Sequence, residues 1–248
     1  MSSWTGSRAE RLTTAVVSLV PSVTETLLAW GIRPAAVTRF CEAPGIPTVG
    51  GTKNPDVESI VAMGPDLVVM DAEENRIEDA GALQAAGVRV HPTHVRSLGD
   101  VEPMMADLWA AVGGRGLHPG SSPAAAHGAV RSAAVEPSVW IPIWRRPWMS
   151  LGGGTYGSSL LSEAGIRNVL DGAGAAYPKL GLEEASALLP DYVLAPSEPY
   201  PFSERHRGEL EEVAPVVFVD GRDLFWWGDR SAGALDRLTG LAGTLAPR

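Results

Sequence analysis

The chain has 248 residues, of which 45% are hydrophobic and 20% charged, so it is long enough for one large domain or for two smaller lobes with buried cores. Its 29 acidic and 20 basic residues give a net charge of −9, which does not support nucleic-acid binding as a main role, because a phosphate-binding surface needs clustered cations. The single cysteine, Cys41, excludes an internal disulfide bond.

The N-terminal segment does not show the pattern of a signal peptide. Residues 1–12 are polar, and the first apolar run, Ala15–Val20, is too short for a leader or for a membrane span, which needs about 18 apolar residues. We therefore expect a cytoplasmic protein without a membrane span, or an extracytoplasmic protein if a leader has been removed.

Short apolar runs alternate with helical patterns along the chain, which predicts a parallel α/β fold. One segment, DVESIVAMGPDLVVM, has Glu58 seven residues before Pro65, and another, GLEEASALLPDYVLA, has Glu183 seven residues before Pro190. In both segments an amphipathic helix is predicted to end at Pro-Asp and to lead into a buried strand.

Two further matches follow the same order in both halves of the chain. Ser18-Leu19 and Ser150-Leu151 each precede a predicted helix that ends at Gly-Ile-Arg, and segment 83–93 is similar to segment 210–220. Because three matches in one order are unlikely to arise by chance, the sequence predicts an internal repeat.

The repeat predicts two similar α/β lobes with parallel sheets, at 1–113 and 138–248. The segment 114–137 is predicted to be a linker with a single connecting helix, since Ser122-Pro123 is a favourable helix start.

Polar, charged and aromatic residues follow the predicted strands. Ligands of open parallel sheets bind beyond the carboxyl ends of the strands, so we expect these segments to line a ligand-binding site. They are residues 38–42, 71–76, 144–148, 198–200 and 220–227.

Three tryptophans, Trp140, Trp144 and Trp148, fall within nine residues and are hard to bury on one face of a strand. One interpretation is that they stack on a planar or ring-rich ligand, while Arg145 and Arg146 pair with its carboxylates. The alternative is that they form a strand core with one loop anchor.

Several potential metal ligands also lie near predicted strand ends: Cys41, Glu42, Glu73, Glu74, His91 and His94. Their spacing does not give a closed zinc site, and the sequence predicts no site for a bare metal ion. Cys41 stays open as an axial ligand to a metal inside an organic chelate. The turn Gly152–Gly157 also fits the GxGxxG nucleotide pattern, but a lone match is weak.

The segments VVSLVPSVTETLLAWG (16–31) and GGTKNPDVESIVAMGPDLVVM (50–70), with the second-half counterpart around Glu183, resemble one known family. This is the helical-backbone (class III) family of substrate-binding proteins of ABC importers, which capture cobalamin, ferric siderophores or haem. The resemblance covers most of the chain and implies two three-layer lobes joined by a single connecting helix, with a ligand cleft between the lobes.

The resemblance implies that Glu58 and Glu183 dock onto arginines of a membrane permease. It also implies a ligand contact at Tyr177, which matches an aromatic position of the cobalamin-binding members. Thr52 and Asp71 stand at the matching first-lobe positions and are not aromatic.

We therefore predict a binding protein for a metal chelate or a similar ring-rich, anionic small molecule of the siderophore, corrinoid or haem class. Any metal, cobalt or iron, would be carried within the ligand, and an ABC permease would be a partner if the protein is exported. The expected ligand contacts are Arg39, Cys41, Lys53, Glu73, Asn75, Arg76, Arg145, Arg146, Trp148, Tyr177, Glu198, Tyr200, Trp226 and Trp227.

The alternative is a cytoplasmic enzyme that reuses the bilobed scaffold. In that case Glu73 and Glu74 would supply acid–base chemistry, because a pair of like charges can raise one pKa, and Cys41 would be the nucleophile.

Overall fold

A computed structural model of the chain describes residues 15–121 and 136–247. They fall into two compact units. The first unit comprises the described residues up to His94 together with Met105–Pro119, and the second comprises Val95–Met104 with the described residues from Gly120 onward. The connecting helix that Ser122-Pro123 predicts lies outside the described residues, and the boundaries at 113 and 138 stay predictions.

The first unit is built on a four-stranded parallel sheet with the strand order β2-β1-β3-β4. The central strands β1 and β3 are short apolar runs buried along their whole length, as is typical of a parallel sheet covered on both faces. The elements are β1 (Val16–Ser18), α1 (Pro21–Ala29), β2 (Ala36–Val37), α2 (Val57–Met63), β3 (Leu67–Asp71), α3 (Ile77–Ala85) and β4 (Val90–Thr93).

Helix α4 (Val101–Ala111) follows; its first residues belong to the second unit and the rest belong to the first. The segment before it is tied to the second unit by two hydrogen bonds. Nε of Arg96 donates to the carbonyl of Gly154 at 3.0 Å, and the N–H of Leu98 donates to Oγ of Ser159 at 3.0 Å.

The second unit has a four-stranded parallel sheet, β10-β9-β5-β8, and a two-stranded antiparallel hairpin, β6-β7. The strands are β5 (Ser138–Trp140), β6 (Pro142–Trp144), β7 (Met149–Ser150), β8 (Arg167–Asn168), β9 (Tyr192–Pro196) and β10 (Val216–Val219). The helices are α5 (Tyr156–Glu163), α6 (Leu182–Ala187), α7 (Arg207–Leu210), α8 (Arg222–Phe225) and α9 (Ser231–Ala242).

The two sheets have the same topology, which confirms the predicted pair of similar α/β units. Strands β8-β5-β9-β10 stand in the order of β2-β1-β3-β4, and the helices between them follow in the same sequence. One matched pair is not equivalent in the structure. Ser18 ends β1, whereas Ser150 ends β7 of the hairpin that is inserted between β5 and α5.

The repeated Pro-Asp step has the same structural role in both units. The carboxylate of Asp66 accepts a hydrogen bond from the N–H of Ala15 at 3.1 Å. The carboxylate of Asp191 accepts from the N–H and the hydroxyl of Ser138, at 2.7 and 2.6 Å. Each aspartate therefore ties the start of one central strand to the start of its neighbour.

The repeated Gly-Ile-Arg step ends a helix in both units. Gly31 and Gly165 have φ angles of +77° and +80°, which favour glycine. After them the N–H of Ile32 donates to the carbonyl of Leu27 at 2.8 Å, and that of Ile166 donates to Leu161 at 2.9 Å. These bonds turn the chain from the helix into the edge strand.

Each unit has its own hydrophobic core. The cores combine residues of the strands, helices and adjoining loops and include Val17, Leu19, Ile60, Val68 and Leu83 in the first unit, and Trp140, Ala185, Val193, Phe202 and Leu210 in the second. None of the helices within the described residues has the length and apolar character needed to cross a membrane.

Candidate functional site

The turn after β3 is fixed by a buried carboxylate at the carboxyl edge of the first sheet. Asp71 Oδ1 accepts from the N–H groups of Glu73 and Glu74 at 2.9 and 3.3 Å, and its Oδ2 accepts from the Thr93 hydroxyl at 2.8 Å. Burial raises the pKa of Asp71, and these hydrogen bonds oppose the rise. The carboxylate thereby sets the positions of the residues that follow.

Asn75 connects three segments at the same edge. Its Nδ2 donates to the carbonyls of Leu19 and Thr52 at 3.2 and 2.9 Å, and its Oδ1 accepts from the N–H of Asp71 at 2.7 Å. The sequence predicts Asn75 as a ligand contact, but the structure buries its amide among backbone groups, where it holds the strand ends together.

Charged side chains of the predicted set lie around Glu73. Lys53 Nζ donates to the Glu73 carbonyl at 2.6 Å, and Nε2 of His94 lies 3.7 Å from Oε1 of the Glu73 carboxylate. Arg76, farther along the same turn, is exposed and pairs with Glu78 at 3.4 Å. Lys53, Glu73 and His94 therefore form one polar group at the ends of β3 and β4.

The segment after β2 contributes an aromatic ring and the thiol. The guanidinium of Arg39 lies 4.9 Å from the ring centre of Phe40, which is 53% exposed and was not among the predicted contacts. Sγ of half-buried Cys41 lies 3.2 Å from Oγ1 of Thr24 and 3.3 Å from Oγ1 of Thr38. Hydroxyl groups are thus its closest polar neighbours, and no group of three or more metal-binding side chains occurs within residues 15–121 and 136–247.

In the second unit, aromatic rings from the β6-β7 hairpin and from the loop after β9 form one cluster. Its members are Trp140, Trp144, Trp148, Tyr200, Phe202 and His206, hereafter the aromatic cluster.

The rings of the aromatic cluster run from the core to the surface. Trp140 is fully buried, and its centroid lies 6.1 Å from that of Trp148. Trp148 stacks on Phe202 at 6.0 Å, and Phe202 lies 4.7 Å from Tyr200. Tyr200 in turn meets the edge of Trp144 at 5.7 Å, and Trp144 is 44% exposed. The cluster thus includes both a core tryptophan and a ring that is open to a ligand.

The two neighbouring arginines of the hairpin have different surroundings. Arg145 forms a bidentate pair with Glu209 of α7, through Nε at 2.9 Å and Nη2 at 3.2 Å. The hydrogen bonds that Arg145 donates to Glu209 are the main reason that its pKa is raised. The sequence predicts that Arg145 pairs with a carboxylate of the ligand. In the structure, Arg145 pairs with the carboxylate of Glu209 instead. Arg146 is exposed, with φ at +65°.

The loop after β10 places its two tryptophans in the interior. Trp226 and Trp227 are both buried, and the guanidinium of Arg230 lies 5.7 Å from the Trp226 ring centre. Asp223 holds this loop to α9 through a bidentate pair with Arg237 at 2.6 and 2.8 Å. The predicted contacts Trp226 and Trp227 therefore pack inside the second unit.

The other predicted contacts of the second unit lie nearer the surface. Tyr177 is 38% exposed. Glu198 is half-buried, and its backbone lies against Gly221: a Cβ built on Gly221 would lie 2.6 Å from the backbone N of Glu198. The sequence did not predict Phe202 and His206 as members of the cluster, although the run Tyr-Pro-Phe after Glu198 was a signal for them.

The two glutamates implied as docking residues occupy equivalent, exposed positions. Glu58 lies in the first turn of α2 and Glu183 in the first turn of α6. Asp56 caps α2 by accepting from the N–H of Ser59 at 3.0 Å, and Glu184 accepts from the N–H of Gly181 at 2.8 Å. The neighbouring residues, not Glu58 and Glu183, supply these caps.

Comparison with known proteins finds the same fold among solved structures. No known family profile matches the sequence. A vitamin B12-binding protein of Salmonella choleraesuis (strain SC-B67) is 24% identical over 188 residues, which are 72% of this chain and 71% of that protein.

Solved structures match over nearly the whole chain. The periplasmic vitamin B12-binding protein of Vibrio cholerae matches with a TM-score of 0.73 and 15% identity, over 94% of this chain and 98% of that one. A periplasmic haem-binding protein of Pseudomonas aeruginosa matches with a TM-score of 0.76 and 21% identity, over 95% of each chain. The chain has the fold of these periplasmic binding proteins, which is the fold that the resemblance found in the sequence implies.

Proposed function

We propose that this protein, which has the fold of the periplasmic substrate-binding proteins, binds a metal chelate or a similar ring-rich, anionic small molecule. The observation that carries the proposal is the aromatic cluster. It extends from the core to the exposed ring of Trp144, at the carboxyl edge where ligands of parallel sheets bind.

The exposed end of the cluster suits a flat ligand. The indole of Trp144 is braced from the side by Tyr200, so stacking a ligand on it does not require the ring to be ordered first. The exposed guanidinium of Arg146 lies two residues along the chain and supplies a cation for a carboxylate.

The first unit offers matching polar chemistry. Arg39 with Phe40, and Lys53 beside Glu73, place cationic and aromatic groups at the ends of β2 and β3. The relatives named as vitamin B12-binding and haem-binding proteins support a ligand of this class, since both names describe metallated ring systems.

Equilibrium binding tests the proposal directly. We expect quenching of tryptophan fluorescence by ferric protoporphyrin, by aquocobalamin or by a ferric hydroxamate siderophore, and about fivefold weaker binding in Trp144→Ala, because a stacked ring contributes on the order of 1 kcal/mol. Trp109→Phe, in α4 of the first unit, is the matched control and should bind as the parent does. Failure of all three ligands to bind would refute the proposal.

We also propose that Glu58 and Glu183 dock the loaded protein onto a permease, as the family resemblance implies. Both side chains are exposed and stand at equivalent positions of the repeat, so they suit a partner that presents the same cationic site twice. Docking requires the protein to meet the permease outside the cytoplasm, and the named relatives are periplasmic proteins.

Charge reversal tests the docking proposal. Glu58→Lys and Glu183→Lys should abolish co-purification with the permease and leave ligand affinity unchanged, while Glu78→Lys in the first turn of α3 serves as the control. Cell fractionation gives the location. A protein found only in the cytoplasm, or full co-purification of both variants, would contradict docking.

A further inference from the structure

His94 differs from the other histidines that the structure describes. The rings of His118 and His206 are buried, and the side chain of His91 is only 11% exposed against α4, whereas the side chain of His94 is 49% exposed. His94 directly follows β4, so its imidazole stands at the carboxyl edge of the first sheet.

The carboxylate of Glu73 faces one nitrogen of this imidazole. Nε2 of His94 lies 3.7 Å from Oε1 of Glu73, and the remaining ring nitrogen, Nδ1, has no hydrogen-bond partner among the described residues. A carboxylate beside Nε2 favours the tautomer with the proton on Nε2, and Nδ1 then carries the lone pair.

The backbone of Glu73 is held on both sides. Its N–H donates to Oδ1 of Asp71 at 2.9 Å, and its carbonyl accepts from Nζ of Lys53 at 2.6 Å. The carboxylate is therefore presented from a fixed turn, which is how proteins orient a histidine that binds a metal.

We propose that His94 provides Nδ1 as an axial ligand to the metal of a bound metallated tetrapyrrole, with Glu73 as the positioning residue for the ring. This inference rests on the proposed function and narrows it. Imidazole is a good ligand for iron and cobalt. A planar tetrapyrrole leaves axial positions open, whereas a hexadentate siderophore fills the coordination sphere of its iron.

Absorption spectroscopy of the full-length protein tests the assignment. We expect protoporphyrin iron, reduced with dithionite, to give a five-coordinate, histidine-ligated ferrous spectrum, or aquocobalamin to exchange its axial water for a nitrogen ligand; the probe that shifts identifies the ring. His94→Ala should lose this signature and bind at least about tenfold more weakly. His94→Gly should regain it when imidazole is added, and His91→Gln, which removes a second imidazole from β4, should keep it.

Glu73→Gln tests whether the Glu73 carboxylate positions the His94 ring or only packs beside it. It should keep the axial ligand but lower the frequency of the iron–histidine stretch in the ferrous complex, because a neutral amide polarises Nε2–H less than a carboxylate does. If the wild-type protein binds a tetrapyrrole and His94→Ala keeps the same coordination spectrum, the inference fails and the proposed function stands. If the wild-type protein binds none of the ligands, the proposed function fails with it.

Discussion

At the scale of single residues, His206 is the buried titratable member of the aromatic cluster, so its protonation affects the stability of the fold. Its Nδ1 accepts from the N–H of Ser203 at 3.1 Å, which requires that nitrogen to be unprotonated. Its ring meets the rings of Tyr200 and Phe202 edge-on, at 5.5 and 5.6 Å. The pKa of His206 is lowered mainly by burial and to a smaller extent by the positive charges of Arg205 and Arg145. The negative charge of Glu209 opposes this shift.

The lowered pKa gives a pH dependence with a definite sign. Because the folded protein holds His206 neutral while the unfolded chain takes up a proton near pH 6.5, its contribution to stability is complete above that pH and is lost as the pH falls through the lower folded value. Urea unfolding from about pH 7.5 to about pH 5 should show less acid destabilisation in His206→Gln than in the parent. Exposed His94→Gln is the control. An unchanged pH profile in His206→Gln would contradict this account.

The exposed or half-buried parts of the candidate site were predictable from the sequence, since the carboxyl ends of strands locate them. Trp144, Trp148 and Tyr200 belong to this group. The partners were not predictable. Arg145 meets Glu209, a residue 64 positions away, and only the packing of α7 beside the hairpin brings them together. Asn75 was predicted as a ligand contact because it follows a strand; its bonds to the carbonyls of Leu19 and Thr52, which come from distant segments, could not be read from the sequence.

At the scale of elements, the two repeated helices end differently. The residue after α2 is Gly64, with φ at +58°, whereas Leu189, just beyond α6, has φ at +51°. A left-handed conformation costs a residue with a Cβ about 1 kcal/mol. Leu189 is also 83% exposed, so the fold gains little from its side chain.

Leu189→Gly should therefore raise the free energy of unfolding by about 1 kcal/mol, because the strain is removed and little packing is lost. The neighbouring Leu188 has φ at −79°, so Leu188→Gly should destabilise the protein and serves as the control. Urea denaturation measures both. A Leu189→Gly protein that is less stable than its parent would show that this side chain has a stabilising contact.

The glycine-rich turn before α5 has a packing explanation. A Cβ at Gly152 would overlap the carbonyl of Ala175, and one at Gly153 would overlap the carbonyl of Asp171. The N–H groups of these glycines donate to Ala176 and Leu170 at 2.8 and 3.2 Å, so they are not available to a phosphate. The GxGxxG pattern reflects close backbone contact, which the letters alone cannot separate from nucleotide binding.

At the scale of the whole molecule, the repeat made the fold predictable, since the same helix–Pro-Asp–strand order fixes the same strand order in each sheet. The hairpin β6-β7 escaped prediction because its strands have only three and two residues, too few for a periodic pattern.

The two units differ in the burial of the aspartate that joins their central strands. Asp66 makes its bond to Ala15 at the exposed surface, whereas Asp191 is buried with Ser138.

Asp191→Ala should cost about 2 kcal/mol of stability, because it leaves the buried N–H and hydroxyl of Ser138 without their acceptor. Asp66→Ala, the equivalent change in the first unit, should cost less than about 1 kcal/mol, since water replaces the lost acceptor. Thermal and urea unfolding of both variants measure the difference. Equal losses would mean that the two units depend on this step to the same degree.

The placement of Val95–Met104 in the second unit has a consequence for building chimaeras from this fold. A recombinant fragment that starts at Ser138 lacks the partners of Gly154 and Ser159, which are Arg96 and Leu98. If halves of related proteins are exchanged at one crossover, segment 95–104 comes from one parent. The residues that it bonds to, Gly154 and Ser159, then come from the other parent. Two crossovers, which carry 95–104 along with the second half, keep that surface matched.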